Sequence, residues 1–138
     1  MTNLSFNHWS VAVATLANIL VAALWYSPHM FGSQEMRFSG RDEAQWKRER
    51  RNILTGYLPT FVATIFKIYI LAYAMSFIGP HTIVGGMFIG LLAGLAFEAN
   101  TLLGGVLWDQ KSWGWFFLHT GQHCLGLMLS GAILAMWR

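Results

Sequence analysis

The sequence predicts an all-α integral membrane protein, a single four-helix bundle with a polar loop between its first two spans. Three observations predict it. Charged residues are only 11% of the 138, against about 25% in an average soluble domain. Ten of the 15 charges fall between Glu35 and Arg51, leaving Lys67, Glu98, Asp109, Lys111 and Arg138 for the rest. Apolar residues make up 55% and aromatic residues 15%. A soluble domain this short cannot hide that much, because small domains bury only about two-thirds of the surface their unfolded chains expose. These figures exclude an ordinary cytosolic domain, a disordered chain and a disulfide scaffold. Cys124 is the single cysteine, so no intrachain pairing exists.

The whole of 1–138 reads as one membrane domain. The first span runs from about Trp9 to Tyr26 and stops at Ser27-Pro28. The second runs from about Ile53 to Ile78 and stops at Gly79-Pro80; the third covers about 82–108 and the fourth about 113–137. Each is long enough to cross a hydrocarbon core of about 30 Å at about 1.5 Å per residue. Helix is preferred because a span must satisfy its own backbone hydrogen bonds, and the strict alternation of barrel strands is not seen. Trp9, Trp25, Tyr26, Trp108, Trp113, Trp115 and Trp137 mark the span ends and read as interfacial anchors. Residues 1–8 hold no Lys or Arg, so a cleavable signal peptide is not expected.

The 27–52 loop sets the orientation. Arg37, Arg41, Lys47, Arg48, Arg50 and Arg51 lie in it, Lys111 lies on the same side, and only Arg138 lies opposite. The positive-inside rule then makes the loop cytoplasmic in a multi-pass cell-membrane protein, bacterial inner membrane by type, with both termini outside. The same placement explains the pI of about 9.4 and removes nucleic acid as a partner. Short surface helices are expected in the loop. One is capped by Ser33. Another runs through Arg41–Arg51, with Asp42 and Glu43 at its N-terminal end and Glu43 four residues from Lys47. The Arg41–Arg51 segment is expected either on the membrane surface, where anionic lipid is available, or as an extension of the second span into the cytoplasm.

Each span carries small residues at helical spacing, with a polar group among them. They are Ser10, Ala14, Asn18 and Ala22; Thr60, Ala63, Thr64, Lys67 and Ala74; Gly86, Gly90, Gly94 and Glu98; and His119, His123, Gly126 and Ser130. Small residues four apart let helices approach closely, so Gly86, Gly90, Gly94, Gly126 and Ser130 read as packing positions. At about 1.5 Å per residue, Asn18 and Glu98 lie roughly 12–14 Å below the cytoplasmic ends, His119 and His123 roughly 9–15 Å, and the Lys67 backbone about 21 Å. A lysine stem spans several ångströms. One intramembrane layer is therefore expected, a Lys67–Glu98 pair with Asn18, Asn100, His119, Gln122 and His123 nearby. Charge in hydrocarbon costs at least about 2.5–3.5 kcal/mol per residue, so such a layer points to a binding site; the alternative is a pair that only fixes helix register. His119 and His123 are one turn apart, and with Glu98 they are the weak candidates for a metal site. No cofactor is predicted, and a metal or haem remains a minor alternative. No nucleophile elbow, phosphate loop or dinucleotide fingerprint is present.

The run Ala23-Leu-Trp-Tyr-Ser-Pro-His-Met-Phe-Gly32 resembles the hallmark of a small bacterial membrane family, domain-of-unknown-function family 1761. Its members show Leu-Trp-Tyr-Ser-Pro, two residues, then Phe-Gly at the end of the first span. The tail Gly131-Ala-Ile-Leu-Ala-Met-Trp-Arg138 and the stretch Gly121-Gln-His-Cys-Leu-Gly126 are similar to the family's as well, with Gln122 standing where members often carry Tyr. The resemblance implies four spans and carries no activity or catalytic residue.

The expected function is transport or permeation of a proton, ion or small solute through the polar layer, by a chain that self-associates in the lipid bilayer. The alternatives are a non-catalytic subunit bound to a partner membrane protein and, less favoured, a metal- or haem-dependent membrane enzyme.

Overall fold

A computed structural model describes residues 7–27, 30–39, 44, 58–79 and 82–137. All regular structure among them is helical. Helix α1 (His8–Trp25) is opened by Asn7, whose side chain accepts from the Trp9 amide at 2.9 Å, satisfying a donor that the first turn leaves free. A short α2 (Gly32–Ser39) follows. Helix α3 (Leu58–Ile78) ends at Gly79, whose φ of +67° is the left-handed closure that glycine adopts without strain. Thr82 then caps α4 (Ile83–Ala93) through the Gly85 amide. A π turn over Gly94–Glu98 joins α4 to α5 (Ala99–Leu107) without a break. Ser112 caps α6 (Trp113–Met136).

Three helical stretches among the described residues, α1, α3 and the continuous Ile83–Leu107, are long and apolar enough to cross a membrane. The predicted fourth span corresponds to α6, which is long enough but falls outside that set. Its middle carries His119, Thr120, Gln122 and His123, and these polar residues lower its apolarity. The predicted start of the second span and the loop helix through Arg41–Arg51 lie largely outside the described residues.

Helix α6 packs along both α1 and α4, while α3 packs chiefly on α1. The core joins Val11 and Ala14 of α1, Ile68, Leu71, Ala72 and Met75 of α3, and Leu127 and Leu134 of α6. The seam between α4 and α6 is nearly bare backbone. A Cβ on Gly86 would stand 2.9 Å from the Gly131 carbonyl carbon, and one on Gly90 would stand 2.6 Å from that of Leu127. The outward side is apolar: Leu20 and Leu24 of α1, Phe66 of α3, and Phe88 and Phe97 of the third stretch are all exposed. Such broad apolar cover suits a lipid bilayer rather than water.

Several expectations need correction. The inward face of α3 is Thr64, Ile68, Leu71, Ala72 and Met75, with Thr60 and Ala63 exposed. Small size alone did not select the packed positions there, since Ile68, Leu71 and Met75 are buried as fully as Thr64 and Ala72. Ser33 lies inside α2 rather than capping it, and its hydroxyl turns to Gln34. Nor does α2 lie free on a surface: it packs on α6, with Glu35 buried and the Phe38 ring over Gly114. Among the predicted anchors, Trp9, Trp108, Trp113 and Trp137 are exposed, whereas Trp25, Tyr26 and Trp115 turn toward protein.

The π turn was not foreseen, and it governs where Glu98 points. In an α-helix each step of four residues overshoots a full turn by about 40°. Three such steps from Gly86 would carry Glu98 about 120° off the glycine face. In the π turn the Ala99 amide bonds to the Gly94 carbonyl, five residues back. The extra residue in that turn cancels much of the drift and keeps Glu98 on the side of α6.

Candidate functional site

The predicted polar residues gather as three clusters stepped along α6 rather than as one layer. In the central cluster, Lys67 Nζ lies 3.2 Å from Glu98 Oε1 and His123 Nδ1 lies 3.7 Å from Glu98 Oε2. One carboxylate thus faces two potential cations from two other helices. Side-chain direction explains the pairing. Lys67 is eleven residues from the Ile78 end of α3 and Glu98 fifteen from Ile83, depths of about 17 and 22 Å. Side chains on a helix lean toward its N-terminus, and α3 and α4 are joined by a short turn and run in opposite directions. The two side chains therefore lean toward each other and close that offset. The three side chains keep 24–29% of their surface exposed, so the cluster opens to one side.

The second cluster is one turn earlier on α6. The Tyr26 hydroxyl and His119 Nδ1 share a hydrogen bond of 2.7 Å, and the same hydroxyl donates a longer one of 3.4 Å to Gln122 Oε1. On the other side of the ring, His119 Nε2 stands 3.7 Å from Glu35 Oε1. That nitrogen is buried with no hydrogen-bond partner, as are Thr120 Oγ1 and His123 Nδ1. The Trp115 ring packs on His119, centroids 4.8 Å apart. The third cluster is Asn18, whose amide donates to Ser130 Oγ at 3.2 Å and covers Gly126; Ser130 in turn donates to the Gly126 carbonyl.

Asn100 belongs to none of these. It is exposed on α5, two residues beyond Glu98 and so on another side of the helix. The candidate metal ligands are divided: His119 faces Glu35 while His123 faces Glu98. No group of three or more His, Cys, Asp or Glu among the described residues is arranged to hold a metal ion. Cys124 is buried against Gly94 at the start of the π turn.

Two residues of the second cluster escaped the sequence reading. Glu35 sits among many charges in a loop and gives no sign of burial. Tyr26 reads as a membrane anchor. Their placement comes from the turn between α1 and α2. The Phe31 amide bonds to the Trp25 carbonyl at 2.9 Å and the Gly32 amide to that of Ser27 at 2.9 Å. The Phe31 ring packs on Trp25, and Trp25 Nε1 donates to the Leu118 carbonyl of α6. A Cβ on Gly32 would stand 2.6 Å from the Tyr26 carbonyl oxygen. Only glycine lets the chain double back so closely, and the reversal lays α2 on α6.

These turn residues are the ones that carried the family resemblance. The family described as a protein of unknown function (DUF1761) matches residues 9–135. The chain belongs to this family. The match spans all three clusters, and within the run that carried the resemblance Trp25, Phe31 and Gly32 dock α2 while Tyr26 reaches His119. No curated protein and no solved structure matches the chain.

Proposed function

We propose that this chain is a four-span membrane protein that moves protons, alone or with a small solute, through the Lys67–Glu98–His123 cluster. The observation that carries the reading is that cluster: an ion pair of 3.2 Å with a histidine 3.7 Å from the same carboxylate, midway along apolar helices and open to one side. Ionisable groups at such depth are costly and commonly mark ion or proton pathways. In the mechanism Glu98 and His123 exchange protons while Lys67 supplies the counter-charge. When Glu98 takes a proton, its hold on the lysine weakens, and the lysine favours return of the negative charge.

In this reading α6 is the fourth span and 27–52 faces the cytoplasm. The contacts of Phe38 with Gly114 and of Glu35 with His119 support it, since they bring α2, with Arg37, to the end of α6 that follows Lys111. No residue of α5 is buried, so its face is available to a second copy in the bilayer.

The test is proton flux into liposomes holding the purified full-length protein, compared with Lys67→Met and Glu98→Gln. Both variants are expected to lose at least tenfold. Unaltered flux in both rejects the mechanism.

A further inference from the structure

The second cluster has features that docking a helix does not require. A carboxylate is costly to bury unless a charge or hydrogen bonds offset it, and Glu35, 7% exposed, is aimed at the one ring nitrogen of His119 that lacks a hydrogen-bond partner. The other ring nitrogen is held by Tyr26, whose hydroxyl also reaches Gln122. A phenol has one proton to give. When it goes to Gln122, His119 Nδ1 must be the donor to the Tyr26 oxygen, and Nε2 of the neutral ring is an acceptor facing Glu35. When it goes to Nδ1, Nε2 carries the hydrogen and donates toward the carboxylate. The imidazole thus has a prepared partner in each of its states.

We propose that Glu35, His119 and Tyr26 form a second proton-binding site, in which one proton is shared between the Glu35 carboxylate and His119 Nε2. In the transfer the Glu35 O–H bond breaks and the Nε2–H bond forms. The neutral acid and neutral imidazole become carboxylate and imidazolium, with Nδ1–H still donating to Tyr26 and the net charge unchanged. Among the described residues, the other ionisable groups near this pair are His123, one turn along α6, and Lys111, whose Nζ lies 5.9 Å from the centre of the Trp115 ring. Arg37, two residues after Glu35, places its guanidinium over Phe38 instead. The site lies on the same helix as the central cluster, one turn or about 6 Å nearer the α2 end. Resting on the transport reading, its role is to exchange protons between the solvent on the α2 side and that cluster.

The experiment follows the histidine nitrogens of the full-length protein in lipid vesicles by 15N NMR across a pH series, with proton flux measured on the same preparations. In Glu35→Gln the proton affinity of His119 is expected to fall at least threefold, with the His123 signal unchanged as the check on folding. Glu98→Gln is expected to do the reverse, moving His123 and sparing His119. Tyr26→Phe is expected to change the balance of Nδ1–H and Nε2–H forms of His119. Should Glu35→Gln not fold, the infrared carboxyl band of Glu35 is followed instead, assigned by its shift in Glu35→Asp and expected to move in His119→Gln. A His119 that titrates alike in wild type and Glu35→Gln overturns the second site, as does a Glu35 band indifferent to His119→Gln. Glu35–His119 coupling without flux in the wild type overturns the transport reading alone.

Discussion

The position of Glu98 against His123 depends on how closely α4 lies on α6, and Gly90→Ala tests that closeness. A Cβ on Gly90 meets the Leu127 carbonyl oxygen, lies 2.6 Å from its carbonyl carbon and 3.0 Å from Met128 Cα. All three are backbone atoms, so no rotamer change relieves the clash. Carbon atoms pack at about 3.5–4.0 Å, so the helices must part by about 1 Å. A gap of that size forfeits a quarter to a half of each dispersion contact of about 0.1–0.2 kcal/mol. A seam of about 50 atom pairs, comparable to one buried leucine, then loses about 3 kcal/mol. Alanine recovers up to about 1 kcal/mol through its helix preference. The net loss is about 2 kcal/mol, roughly a 30-fold change in the folded ratio. The assay is equilibrium unfolding in mixed micelles, followed by tryptophan fluorescence. Gly104→Ala is the control, because its Cβ would meet only Trp108 Cδ1 at 3.9 Å. Stabilities of the two variants within about 0.5 kcal/mol of each other refute the close seam, since surface changes usually fall in that range.

The Lys67–Glu98 pair predicts a double-mutant cycle. Lys67→Met leaves Glu98 facing only His123 and is expected to cost about 2 kcal/mol, below the usual loss for a broken buried pair because both side chains are partly exposed. Adding Glu98→Gln removes the stranded charge and is expected to restore at least half of the loss; additive costs contradict the pairing. Trp25→Phe keeps the ring but removes the donor to the Leu118 carbonyl, with an expected loss of about 1 kcal/mol in the same unfolding assay. No loss there means that Trp25 faces lipid.

The helical class was legible because hydropathy acts over whole segments, and limits of one or two residues matched where helices are capped. Gly86 and Gly90 were legible because glycine spacing has one strong use in a membrane helix. Lys67 and Glu98 stood out by rarity alone: two charges in otherwise apolar stretches must find each other or water. The single polar layer was not a sound expectation, since depth counted along each helix fixes neither azimuth nor the offset between helices along their axes. Asn100 and Glu98 differ by two residues and point apart. Asn18 reaches α6 seven to eleven residues beyond His119, at Gly126 and Ser130. The π turn gave no sequence signal; it begins at Gly94, which packs against Cys124.

Glu35 was passed over for a different reason, and it bears on how such proteins are built. A charge among nine others within 17 residues carries no information about burial, so composition hides it. What buries Glu35 lies upstream, in a turn whose residues look like ordinary membrane anchors. Trp25 fixes the turn to α6, Gly32 permits the reversal, and α2 is then long enough to bring position 35 opposite His119. Aromatic residues at a span end can therefore be tied to protein rather than to lipid, and here the glycine just beyond them marks where the chain reverses. In this chain the consequence is chemical: the turn places a tyrosine on one ring nitrogen of a histidine and a carboxylate opposite the other. Neither partner lies on the same helix as that histidine, so displacing α2 would uncouple the carboxylate while leaving the tyrosine in place.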